Sequence, residues 1–193
     1  MKTPLLLAGI LAFFISSCQN STIQKNVELD QIQARKHEID QQLSDKSLVV
    51  YAKVKGREGL VEVKNKRYPV GIETTYNIMR DKSGKIVYVA EVPYSPTSDW
   101  FIVYKNYFGM AGNLIVFQRV NNFMNSKCVK GAALENLTRY YGKDFRLIDS
   151  AYTLTDSSKK PLDKKTCEFP YNFKYEVYKN LTEYKAGKAI VGF

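Results

Sequence analysis

The chain has 193 residues, 45% of them hydrophobic, and 29 lysines and arginines against 19 aspartates and glutamates, a formal charge of +10. That composition suits one globular domain of ordinary size with an appendage. The only histidine is His37, and no phosphate-binding glycine loop, dinucleotide fingerprint or metal-ligand cluster occurs, so nothing points to triad chemistry, a metal or a cofactor.

The amino terminus bears on compartment. Met1-Lys2 is a short positive start, and Leu5 to Ile15 is an apolar run of signal-peptide length, too short to span a membrane comfortably. It ends in Ile15-Ser16-Ser17-Cys18, where small residues lead to a cysteine. This layout resembles the lipobox of bacterial lipoproteins, with Ile15 at the position more often held by Leu. The resemblance covers the first 18 residues, and no family is recognised for the mature domain. It implies that residues 1–17 are removed, that Cys18 is acylated, and that the mature protein sits on the cell envelope. Two or three acyl chains anchor stably where one holds only marginally. Gln19 and Asn20 leave out the Asp that retains some lipoproteins in the inner membrane, so the expected location is the outer membrane, with its face undecided. A basic charge that would direct attention to nucleic acid in a cytosolic protein is read here against lipid phosphates, acidic polysaccharide or simple solubility.

Residues 18–46 are polar, without Pro or Gly, and carry a narrow apolar stripe from Leu29 and Ile32 through Ile39 to Leu43, which predicts a tether that becomes a helix. His37 falls there as a solvated position. Residues 47–184 form the predicted domain. Leu48, Val50, Ala52 and Val54 alternate before Gly56 to Gly59, and Leu60, Val61 and Val63 return, a charged hairpin suited to a sheet edge. Two central hairpins come next, from Tyr76 and from Trp100. Their turns run from Asp81 to Gly84 and from Gly109 to Asn113, and both return strands are apolar on both parities. Gly84-Lys85-Ile86-Val87 and Gly112-Asn113-Leu114-Ile115 are alike enough to be consistent with a duplicated hairpin.

Ala133, Leu134, Leu137 and Tyr141 recur at helical spacing before Gly142, which predicts a helix over 131–141 as the cover for the sheet. Phe145 to Thr155 reads as strand. Cys167, Phe169, Tyr171, Phe173, Tyr175 and Val177 alternate with polar residues, which predicts a half-buried strand kept at an edge or bulge by Pro170. Residues 185–193 read as a loose tail.

The expected fold is therefore α+β: an antiparallel sheet of about seven or eight strands in a hairpin meander, covered by one main helix and preceded by a helical tether. In an oxidising compartment Cys128 and Cys167 are a natural disulfide pair, the alternative being two buried free thiols. The aromatic loop from Pro93 to Asp99, with Tyr94, Trp100 and Tyr104, is a candidate surface for stacking on a sugar or small ligand. Glu73, Glu91 and Asp99 are the carboxylates a hydrolase would need, though spacing does not bring any two together. Asp149-Ser150-Ala151 resembles an O-glycosylation acceptor of some bacterial envelope proteins. Function is read as a non-enzymatic binding or accessory module contacting another envelope protein, or alternatively a glycan or small-ligand binder, with membrane attachment through Cys18 and no nucleic acid.

Overall fold

The computed structural model describes residues 12–44, 46–169, 175–190 and 193, with side chains described from Gln24 onward. Most of the expected signal peptide, residues 1–11, and the side chains of the expected lipobox lie outside that set. Helix α1 (Ala12–Gln42) leads into eight strands: β1 (Leu48–Val54), β2 (Val61–Glu62), β3 (Ile72–Arg80), β4 (Ile86–Pro93), β5 (Trp100–Phe108), β6 (Leu114–Phe123), β7 (Ala133–Tyr141) and β8 (Leu147–Asp156). A short helix, α2 (Leu181–Gly187), comes after them. The strands form one antiparallel sheet in the order β2-β1-β3-β4-β5-β6-β7-β8.

The hairpins predicted around both glycine turns are present. Gly84 and Gly112 hold φ of +83° and +78°, the left-handed conformation that only glycine adopts without steric cost. β4 is buried on both faces from Ile86 to Glu91, as its two-parity apolar pattern requires. The predicted charged hairpin stands at the sheet's edge as β1 and the two-residue β2.

The predicted helix over 131–141 is instead strand β7, paired with both β6 and β8. Its strand alternation is disguised because the inward parity carries Glu135 and Arg139 beside Ala133 and Tyr141. Gly142, expected as a helix stop, is the place where α1 closes on the sheet. A Cβ there would lie 2.6 Å from both the Glu28 carboxylate and the Ile148 side chain.

The cover on one face is the second half of α1. Ile32 and Ile39 are buried, and the stripe packs on Met79, Val87, Tyr88, Tyr107, Val116 and Ile148. Lys36, which interrupts the stripe, places its ammonium 4.9 Å from the Tyr107 ring centre and pairs with Asp40. Asp40 in turn accepts from the Tyr107 hydroxyl at 2.7 Å. His37 is exposed, as predicted, beside Gln41.

Three hairpins meet this helix in the same way. The register of each slips by one residue just after the turn, at Met79/Arg80, Tyr107/Phe108 and Tyr140/Tyr141, so the return strand carries one extra residue: Val87, Ile115 and Ile148. All three belong to the cluster beneath α1. Glu28 reaches the third turn, accepting from the Lys143 amide at 3.0 Å, whereas Gln42 lies beside Asp81, Lys82 and Ser83 of the first. The helix between them spans about 21 Å, close to the roughly 19 Å separating the first and third turns of a flat meander.

The opposite face is covered by the carboxy-terminal segment. Tyr175, Val177, Tyr178, Leu181, Tyr184, Ile190 and Phe193 pack on Tyr76, Ile78, Val89, Ile102, Tyr104 and Phe117. Cys167 to Phe169 and Tyr175 to Tyr178 belong to no strand, so the predicted strand across 167–177 is not formed where it is described; residues 170–174 lie outside the described set. The alternation survives because Phe169, Tyr175 and Val177 still turn toward the face of the sheet, where they pack without pairing along an edge. The described part of the expected loose tail, 185–193, is likewise docked: Ile190 is buried, Phe193 packs on the same cluster, and Gly187 sits so close under Tyr178 that a Cβ would meet its ring at 2.3 Å, while residues 191 and 192 lie outside the described set.

Candidate functional site

The disulfide predicted between Cys128 and Cys167 is formed, with its Cα atoms 4.7 Å apart. It joins the β6–β7 connection to the segment crossing the sheet, above Phe123, Ala133 and Leu154. The Glu168 amide donating to the Ser126 carbonyl at 2.7 Å fixes the same junction.

The three aromatics singled out for ligand stacking do not share a surface. Tyr94 is 61% exposed, Trp100 is half-buried against two core clusters, and Tyr104 is 2% exposed. Tyr104 stacks on Tyr175 with ring centres 3.8 Å apart and so presents no face to solvent. Of the three carboxylates considered for hydrolysis, Glu73 and Asp99 are at or near the surface and Glu91 is buried. Glu91 accepts from the hydroxyls of Tyr175 and Tyr184, each at 3.2 Å, and pairs with Lys188 at 3.0 Å. Every one of these partners lies on the carboxy-terminal segment, so the group acts as a clasp between sheet and cover.

Burial, with the neighbouring charge of Glu91, holds the hydroxyls of Tyr175 and Tyr184 neutral well above the usual tyrosine range. Tyr104, for which burial is again the largest cause, is pushed up to about 12 from 10.0. Folded-state values raised above the unfolded ones mean that this stabilisation is fully present below pH 10 and declines as unfolded-state tyrosines ionise above it. Denaturant titrations at fixed ionic strength should show stability falling as the pH rises from 10 to 12. A flat profile up to pH 12 would contradict this packing.

A second buried carboxylate, Glu135 on β7, lies beneath the other end of the sheet at 2% exposure. Arg119 pairs with it at 2.9 Å, the Asn121 amide donates to it, and the Tyr152 hydroxyl of β8 donates at 3.0 Å. Polar residues at these inward positions gave no apolar stripe, so sequence reasoning missed them. Tyr152 is 40% exposed, and the Lys164 ammonium stands 4.9 Å over its ring.

This network orients the last strand of the sheet. β8 is ten residues long, and Asp149 through Thr153 are all exposed, Ser150 among them. The Leu154 carbonyl faces away from β7, accepting from the Leu162 amide at 2.9 Å. Alternate residues of a strand turn their backbone groups the same way, so the N–H and C=O of Ser150 and Tyr152 also point outward, and among the described residues they meet no backbone partner. Natural sheets blunt such edges with Pro, lysine, bulges or brevity. The β2 edge obeys that rule with two residues and Lys64 beside it; β8 is longer, with its bulge at Ile148 near one end and Lys164 over the ring of Tyr152, and the backbone groups of Ser150 and Tyr152 stay open between them.

Among the described residues there is no group of three or more His, Cys, Asp and Glu able to hold a metal, and no helix is long and apolar enough to cross a membrane. No family model, curated protein or solved structure matches the chain.

Proposed function

We propose that the protein is a bacterial envelope lipoprotein, acylated at Cys18 and held at the outer membrane, that works without catalysis as an accessory module for another envelope protein. The amino-terminal half of α1 is the tether and the sheet is the working part. The observation that carries the reading is the open β8 edge, which offers a partner's extended segment two outward-facing residues' worth of backbone donors and acceptors. Main-chain pairing of that kind supplies affinity while side chains on alternate faces supply selectivity. The Cys128–Cys167 disulfide supports an oxidising compartment, and the Glu135 network supports a preorganised edge.

A photo-reactive amino acid placed at Ser150 in intact cells should give one recurrent cross-linked envelope protein, identified by mass spectrometry. Tyr152→Pro removes an outward N–H and should abolish that adduct while the same probe at Val70, 95% exposed on a distant loop, gives none. An adduct pattern unchanged by the proline, or shared by both probe sites, sinks the edge as the contact. The second reading, a glycan or small-ligand binder, rests on the exposed ring of Tyr94; Tyr94→Ala leaving glycan-array binding of the protein unaltered would remove it.

A further inference from the structure

The hairpin-turn end of the sheet carries a cleft of about 890 Å³, enclosed by the first central turn, the second central turn and α2. Arg80 and Lys85 enter it from the first turn and Lys185 from α2. The Arg80 guanidinium donates to the Gly84 carbonyl at 2.9 Å, Lys85 to the Met110 carbonyl at 3.4 Å, and Lys185 to the Phe193 carbonyl. Arg80 and Lys85 are thus held by neutral carbonyls and Lys185 by an oxygen of Phe193, over whose ring it also stands at 5.1 Å, and among the described residues none of the three makes an ion pair with an Asp or Glu side chain. Glu183, the one acidic residue lining the cleft, is already engaged by Lys179 at 2.8 Å.

We infer that this cleft is a binding site for a phosphate-bearing ligand, gripped by Arg80, Lys85 and Lys185. A guanidinium with five N–H groups, one of them used, keeps its remaining donors for a forked grip on phosphate oxygens, and two ammoniums add point charges from the opposite walls. Burial and the nearby positive charge of Arg80 depress the Lys185 ammonium. Burial is the larger cause, and an anion between Lys185 and Arg80 offsets the second, the like charge. The apolar part of the lining, Ile86, Met110, Ala111 and Leu181, gives the rest of a ligand somewhere to lie. The phosphate is that of a lipid headgroup or of a free phosphate ester, and the same chemistry serves both.

The test uses the full-length protein in a neutral detergent at constant ionic strength, since screening alone weakens exposed pairs. One arm titrates glycerol phosphate and the other titrates mixed micelles containing phosphatidylglycerol, each monitored by calorimetry. Arg80→Gln with Lys185→Gln should weaken binding by about tenfold or more, and Lys85→Gln alone by less. Lys159→Gln, in the turn after β8, should leave it unchanged. Saturable binding in the first arm identifies a free phosphate ester; binding in the second arm only identifies a lipid headgroup. Binding in neither arm, or equal binding by the double variant, overturns the site. All four positions are exposed or half-buried, so the variants should fold, and far-ultraviolet circular dichroism checks that they do.

Discussion

Replacing both cysteines of the Cys128–Cys167 pair by serine is expected to lower the unfolding free energy by about 4 kcal/mol. The bridge closes a loop with a sequence separation of 39 residues, and releasing it restores that loop's freedom to the unfolded chain. For a domain of this size the melting temperature should drop by roughly 10 °C. Dithiothreitol should reproduce the shift in the native protein and have no effect on the double variant. Because the bridge also pins Cys167 and Phe169 over Phe123, Ala133 and Leu154, tryptic nicking at Lys164 and Lys165 just before it should accelerate. A double variant that melts with the parent and ignores reductant would mean that the bridge constrains nothing.

Glu91→Ala is the other large effect, expected to cost about 3–5 kcal/mol. Removal of this carboxylate strands Lys188, only 20% exposed, and leaves the hydroxyls of Tyr175 and Tyr184 without their shared acceptor. Lys188→Met in the same background should recover part of the loss, because the uncompensated charge is gone; coupling of about 1–3 kcal/mol is the range for directly bonded groups. Glu91→Gln keeps an acceptor for the tyrosines and should fall between. Urea unfolding of the parent, Glu91→Ala, Lys188→Met and the double variant supplies the cycle. Strict additivity would show that Glu91 and Lys188 do not depend on each other.

The strands from β3 to β6 were legible because glycine turns and two-sided apolar runs are local signals that the tertiary structure only reinforces. β7 was not, since its inward parity holds Glu135 and Arg139, and the Glu135 partners Arg119 and Tyr152 are distant in sequence. Ala133, Leu134, Leu137 and Tyr141 then happen to fall at helical spacing. The stripe on α1 was visible, but a narrow stripe suits a free-standing tether as well as a docked helix, and only the three bulge residues decide for docking in its second half. Alternation from Cys167 to Val177 reported which side chains face inward and said nothing of whether the backbone pairs. The disulfide could be read from the cysteine count and the compartment expected from the amino terminus. The β8 edge could not, because a segment's identity as strand does not disclose its place in the sheet order, and the clasp at Glu91 required knowing that residues 175–188 cross above it.

The three bulges also determine how the molecule responds to being pulled. Tension entering along α1 from its amino-terminal end reaches the sheet through Val87, Ile115 and Ile148 together, one on each of three successive hairpins. The helix crosses the strand ends from the third turn to the first, so the pull shears all three contacts in parallel and does not peel one strand from an edge. Contacts arranged in parallel must slip at once. The sheet is thereby insulated from a load applied through the helix, and the β8 edge keeps its geometry while α1 is under tension.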